Sequence, residues 1–236
     1  NMTNNQFTLD TIGIISSPFK EKFGIPRQPA LARNITSDII VTPTYSRIEA
    51  FKELEQFSHL WLTFIFHQNQ RSEWKPCIRP PRLGGNKKVG VFASRSTHRP
   101  NSLGQSLVKL ESIEGSCLRV SGLDLLDGTP IIDIKPYVPY ADSLPEAVNH
   151  IAEQAPAFIS ILWSEQALQQ AQVHAQRLGD DVQGLIQQCL QQDPKPAYQK
   201  PTPDRCYGVK LWDLNVQWHY PEAGVIKVLS VQQLAG

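Results

Sequence analysis

The sequence predicts an α+β chain: a mainly β-barrel N-terminal domain over residues 1–150 and a small α+β C-terminal domain over 151–236. Three observations carry this. The first 150 residues hold short apolar runs set off by Gly, Pro and Asn, with only brief helical segments, as in a closed or nearly closed barrel. The βαβ alternation of a doubly wound sheet is missing. Ile12-Gly13-Ile14-Ile15 runs into Ser16-Ser17-Pro18 without the later glycines of a dinucleotide-binding turn, so the fold is non-Rossmann. Finally, the composition changes near Asp142. From there to Asp193 the chain carries seven acids against one base, Arg177, and eleven glutamines.

The elements follow in order. Phe7 to Ile15 reads as a first strand and Ile39 to Val41 as a short β-branched one. Ala50 to Phe57 gives one or two helical turns. His59 to Phe66 is apolar on both faces, as a fully buried strand would be. Val89–Phe92 reads as a buried strand, and Leu103–Leu110, Leu118–Leu125 and Pro130–Ile134 supply more. Phe158, Ile161, Leu162, Leu168, Ala171 and Ala175 are spaced for an amphipathic helix that Gly179-Asp180 breaks; a second helix runs to about Gln192. Asp193 to Pro203 is a Pro-rich linker. A hairpin closes the chain, with Trp212, Leu214, Val216 and Trp218 on one face and Val225 to Val231 returning.

Composition excludes several classes. An apolar fraction of 41% over 236 residues is enough for a core. No stretch approaches twenty apolar residues, so no membrane span is expected. The N-terminal residues lack the basic-then-apolar pattern of a signal peptide. Cys77, Cys117, Cys189 and Cys206 are scattered, with no CxxC pair, which argues against a metal site and for reduced thiols in a cytoplasmic protein. There is no Walker loop, HExxH or nucleophile elbow.

Five segments carry candidate chemistry. Between Arg71 and Arg99 stand eight Lys/Arg against one acid, Glu73, a net of +7; the whole chain is +1, so the remainder sums to −6. Within that window Arg79, Arg82, Lys87 and Lys88, beside the flexible Gly84-Gly85, offer phosphate contacts, and Trp74 offers a stacking ring. A solvated basic loop is the alternative. At its end, Phe92-Ala93-Ser94-Arg95-Ser96-Thr97-His98-Arg99-Pro100-Asn101 packs two arginines, a histidine and three hydroxyls into one loop, suited to an anion or polar ligand. Of Arg95 and Arg99, one could pair with a carboxylate, and the other could hold a phosphate or brace the loop. Pro26-Arg27-Gln28-Pro29 is a preset extended segment whose amides can grip a ligand, or an ordinary Pro-bounded loop. His67-Gln68 ends a strand, as a site pair or a polar cap. Asp127-Gly128-Thr129-Pro130 is a turn, followed at spacing two by Asp133, Lys135 and Tyr137, which share a face if the strand continues. Asp133 with Lys135 is either a catalytic pair or a structural ion pair.

Three of these segments, in this order, resemble the TsaA-like or TrmO family: Gly24-Ile25-Pro26-Arg27-Gln28-Pro29, the Phe92–Asn101 run, and Leu126-Asp127-Gly128-Thr129-Pro130-Ile131-Ile132-Asp133-Ile134-Lys135-Pro136-Tyr137. The likeness spans roughly residues 7 to 150, and Pro196-Ala197-Tyr198 with Tyr207-Gly208-Val209 is similar to the longer bacterial members. It implies an S-adenosylmethionine-dependent methyltransferase. The implied substrate is threonylcarbamoylated adenine beside the anticodon of tRNA, methylated on its exocyclic N6. The implied cofactor contacts are Pro26, Arg27, Gln28, His67, Gln68, Arg95, Gln105, Leu125, Leu126, Asp127 and Gly128. Asp133, Lys135 and Tyr137 are then candidates for orienting the base and taking its proton. The C-terminal domain is a candidate tRNA contact, and a homodimer is expected. A non-catalytic RNA-binding module and an S-adenosylmethionine sensor are the rival readings.

Overall fold

Alternation of β-branched and polar residues builds the N-terminal half. The computed structural model describes residues 5–21, 35–67, 73–79, 87–150, 158–194 and 200–236. Strands β1 (Gly13–Ser16), β2 (Thr36–Val41), β3 (His59–Ile65), β6 (Leu103–Glu114), β7 (Cys117–Ser121) and β8 (Pro130–Pro136) close into a barrel in the order β1-β2-β7-β6-β3-β8. Every pair in it is antiparallel. Ile15, Ile39, Leu60, Leu62, Phe64, Val108, Leu118, Val120 and Ile131 fill the inside and are essentially removed from water. Closure leaves this sheet no free edge. Gly104 lies opposite Phe64, and a Cβ there would collide with the Phe64 ring.

A short ribbon, β4 (Cys77–Ile78) with β5 (Val89–Gly90), stands off the barrel. After β8 comes one helical turn, α1 (Pro139–Asp142). The C-terminal domain is a four-stranded sheet in the order β10 (Cys206–Leu211), β11 (Leu214–Glu222), β12 (Val225–Gln233), β9 (Ser160–Trp163). Helices α2 (Glu165–Leu178) and α3 (Val182–Leu190) contribute to its core. The Ser164 hydroxyl caps α2 by accepting from the Ala167 amide at 3.0 Å, and Gly179 ends it in the left-handed region at φ 68°. Ala167, Ala171, Ile186 and Leu190 share one core with Val209, Val216, Trp218, Ile226 and Val228.

Several boundaries differ from the sequence reading. Residues 7–12 lie outside β1, which begins at Gly13, although Ile12 still bonds to Ile131 and Thr42 on either side. The turns between Ala50 and Phe57 are 3₁₀, at Ile48–Phe51 and Leu54–Gln56. Strand β3 is not buried on both faces: Leu60, Leu62 and Phe64 point inward, while Trp61, Thr63 and Ile65 are half-exposed on the outer wall. Val89–Phe92 is a two-residue strand followed by a 3₁₀ turn; Val91 is buried but Phe92 is 77% exposed. Phe158 to Leu162 is not helical. Ile161 and Leu162 belong to β9, which pairs in parallel with β12. Strand β10 precedes the expected hairpin and extends it to three strands.

Candidate functional site

A dense polar knot lies where β1 ends beside the turn before β8. Asp127 draws in three residues of one short segment, Ser17, Phe19 and Lys20. Its Oδ1 accepts from the Ser17 amide at 2.9 Å, its Oδ2 pairs with Lys20 Nζ at 2.7 Å, and its own amide donates to the Phe19 carbonyl at 2.7 Å. The Ser17 hydroxyl donates to the Leu125 carbonyl at 2.7 Å, and the Gly128 amide donates to the Ile15 carbonyl at 2.8 Å. Thr129 closes the turn onto the Leu126 carbonyl through its hydroxyl at 2.6 Å. Gly128 has φ 82° and faces open space, so glycine is required there by backbone conformation rather than by crowding. Leu125 and Leu126 are buried. The turn is thus tied to the end of β1 by the protein's own hydrogen bonds.

Asp124 adjoins this knot. Burial is the main cause that pushes its carboxyl up from 3.8 to about 6; its own backbone amide and the positive charge of Arg95 act the other way. Arg95 itself is exposed. Its loop is self-supporting. The Ser94 hydroxyl donates to the Val91 carbonyl at 2.8 Å and accepts from the Ser96 amide, while the Ser96 hydroxyl accepts from the His98 amide. Arg99 braces the loop, giving Nη1 to the carbonyls of Ser94 at 2.7 Å and Val91 at 3.2 Å. Of the roles the sequence left open for Arg99, this geometry has the brace; the rest of its fork is still available for a phosphate.

Cross-strand register groups the other candidates. Asp133 on β8, Thr63 on β3 and Gln105 on β6 stand in one row across the outer wall. Lys135, Trp61 and Leu107 form the next row. Beyond it, the Tyr137 amide donates to the His59 carbonyl at 2.9 Å, and its ring meets His59 and Trp61 edge-on. A bulge between Thr63 and Phe64 keeps Ile131 and Ile134 inward on β8, so Asp133 and Lys135 face out together. Asp133 and Lys135 are 3.9 Å apart, with side chains 50% and 72% exposed, a loose pair rather than a buried one. His67 follows the end of β3 and is half-buried.

The basic window forms the β4–β5 ribbon and its surroundings. Arg79 follows, and Lys88 precedes, the Ile78–Val89 pair, so the two cations leave the ribbon on neighbouring strands. Arg79, Lys87 and Lys88 are exposed. Two rings stand free of the core beside them, Trp74 at 49% and Phe92 at 77% exposure. The Lys75 amide donates to the His98 carbonyl, which joins the ribbon to the arginine loop. Pro26, Arg27, Gln28, Gln68 and Arg82 lie outside the described residues.

The sequence reading missed Asp124, Ser17, Lys20 and the exposed Phe92. An acid inside Leu123-Asp124-Leu125 breaks the apolar run, and this was the available signal. Among the described residues no cluster of His, Cys, Asp and Glu could hold a metal ion, and no helix is long and apolar enough to cross a membrane.

A closed antiparallel barrel joined to a small α+β domain defines a non-Rossmann class of fold, shared with solved structures of TrmO. One from Pseudomonas aeruginosa superposes with a TM-score of 0.85 at 48% identity, covering 99% of this chain and 100% of the other. The chain belongs to the tRNA-methyltransferase O family: the family's N-terminal domain matches residues 14–143 and its C-terminal domain residues 156–234. A relative from Escherichia coli K12, named tRNA (adenine(37)-N6)-methyltransferase, is 42% identical over 93% of this chain and 96% of its own length. Another, from Pseudomonas aeruginosa and named as an S-adenosylmethionine-dependent methyltransferase, is 55% identical over 95% of this chain and 97% of its own.

Proposed function

We propose that this protein transfers a methyl group from S-adenosylmethionine to the exocyclic N6 of a tRNA adenine, and that its preferred target is the threonylcarbamoylated adenine beside the anticodon. One observation supports this best. The hydrogen-bonded Leu125–Gly128 turn, the exposed Arg95 whose charge acts on the half-buried Asp124, and a basic ribbon with two exposed aromatic rings all belong to the N-terminal half of the chain. The residues fit the cofactor's chemistry. Arg95 suits a carboxylate, Asp124 suits a cationic centre, and Leu125 and Leu126 give the turn an apolar side.

Bound S-adenosylmethionine supplies an electrophilic methyl on a sulfonium, so no metal is called for. The protein's part is alignment and proton management. The turn at Asp127 holds its shape through Ser17, Lys20 and Phe19. Arg79, Lys87 and Lys88 attract the tRNA backbone, while Trp74 and Phe92 offer faces for unstacked bases. Asp133, Lys135 and Tyr137 orient the adenine, and Gln105 in the Asp133 row lends an amide donor. Asp124, with a carboxyl near 6, is poised to take a proton at neutral pH. The C-terminal domain extends the tRNA contact. Two chains associate through the half-exposed outer wall around Trp61, Ile65 and Leu107, with Tyr140, Leu144 and Val148 exposed in the segment that follows.

The decisive experiment is transfer of labelled methyl to tRNA with and without the threonylcarbamoyl group. Transfer to the modified tRNA alone is expected. Equal transfer to both would remove the finer substrate assignment, and cofactor binding without any transfer would favour a sensor.

A further inference from the structure

The two domains do not meet as independent bodies. Phe19 leaves the barrel sequence just after β1, is 1% exposed, and belongs to the core of the C-terminal domain with Leu211, Trp218 and Ile186. Its backbone pairs with Leu211, and the Trp212 amide donates to the Pro18 carbonyl at 2.9 Å. The other side of the same short segment holds the turn: the Phe19 carbonyl takes the Asp127 amide, and Ser17 and Lys20 take the Asp127 carboxylate. Ile35, just before β2, is a second barrel-side residue in that core, and its carbonyl accepts from the Gly122 amide at 3.2 Å.

We infer that the C-terminal domain is a structural part of the cofactor cradle, with Phe19 as the positioning residue that transmits its packing to Asp127. A close-packed core fixes a large ring within a fraction of an ångström. Fixing that ring fixes the Phe19 carbonyl, and with it the amide of Asp127. The adjoining Gly128 amide is held differently, by Ile15 in the barrel's own wall. The brace therefore acts on one side of the turn only. This inference rests on the reading of Leu125–Gly128 as a cofactor segment.

The test uses the full chain with Phe19→Ala, Phe19→Leu and Val228→Ala. Val228 is equally buried in the C-terminal core but belongs to a strand that pairs with β9 and β11, not with the turn. Residue-resolved hydrogen exchange and calorimetric titration with S-adenosylmethionine are measured on each folded variant. In Phe19→Ala the Asp127 amide should exchange about tenfold faster while Gly128 is unchanged. The dissociation constant should rise about tenfold, a usual size for coupling between sites. Phe19→Leu should show a smaller change in the same direction, and it serves alone if Phe19→Ala does not fold. Val228→Ala should alter neither quantity, although it lowers stability. Unchanged Asp127 exchange in the folded Phe19 variants overturns the brace. Faster Asp127 exchange with unchanged cofactor affinity leaves the mechanical link standing and overturns its role in the cradle, because the turn is then not the cofactor's. Equal effects from Val228→Ala reduce the result to general stability and also overturn it.

Discussion

Replacing Asp124 by Asn should stabilise the protein at alkaline pH and leave it unaltered in acid. The carboxyl is raised from 3.8 to about 6, chiefly because burial penalises its charged form. Between those two values the folded state keeps a proton that the unfolded state has released. Stability therefore falls as pH rises through that window, and the full penalty is present above about pH 6. The gap is roughly two pKa units, each worth about 1.4 kcal/mol, which sets a ceiling near 3 kcal/mol. Partial access to water lowers the expectation to about 2 kcal/mol. Asn imitates the neutral acid, so Asp124→Asn should match the parent at about pH 3, below both values, and exceed it by about 2 kcal/mol at about pH 8. Urea denaturation at both pH values measures this. Because the charge of Arg95 eases ionisation of Asp124, the gain at pH 8 should grow in an Arg95→Ala background, a coupling that a double-mutant cycle reads directly. An equal change at both pH values, or a loss of stability at pH 8, would refute the reasoning and make the carboxylate a stabilising structural group. Methyl transfer by the parent should also decline below about pH 6 if the ionised acid takes the proton.

Further outcomes are expected. Arg95→Ala should weaken S-adenosylmethionine binding by about 1.5–3 kcal/mol, the worth of a charge-assisted contact, and an unchanged titration in a folded variant would sink this. Replacing Lys87 and Lys88 together by Ala should lower tRNA affinity and flatten its salt dependence by about two phosphate contacts, with cofactor affinity unmoved. Asp133→Asn, Lys135→Ala and Tyr137→Phe should reduce turnover more than substrate binding; a loss of melting temperature alone would make Asp133 and Lys135 a structural pair. Light scattering should report a homodimer, and a mass of 26.5 kDa in an active sample would exclude it.

How much of this was readable in the residues depends on periodicity. The barrel was legible because short apolar runs broken by turn residues have few other uses. The C-terminal sheet was half-hidden. Phe158, Ile161 and Leu162 fit a helical stripe as well as a strand, and four residues of strand leave no pattern long enough to choose. The exposure of Phe92 was unreadable for a similar reason: an aromatic after Val89-Gly90-Val91 counts toward the core until the backbone turns. The turn at Asp127 was visible, but its partners were not. Ser17 and Lys20 lie 110 and 107 residues away, and nothing local marks a contact across that distance. Asp124 needed burial as well as identity, and a single sequence supplies only the second.

The parallel pairing of β9 with β12 also sets the order in which this chain can be completed during synthesis. Strand β8 ends at Pro136, so all the strands of the barrel are present before the first strand of the C-terminal sheet is made. The C-terminal sheet has no such early stage. Its first strand, β9, must wait for Val225–Val228, which follow every other strand of the sheet, and β12 is also the neighbour of β11. Until then Phe19 and Ile35 have no core to enter. A chain stopped before Val225 would lack β12, leave β9 without its partner and β11 with one open edge, and display two large apolar side chains on an otherwise finished barrel. Such a product is a natural target for aggregation or proteolysis, because non-local strand pairing leaves apolar surface and open edges until its final partner arrives.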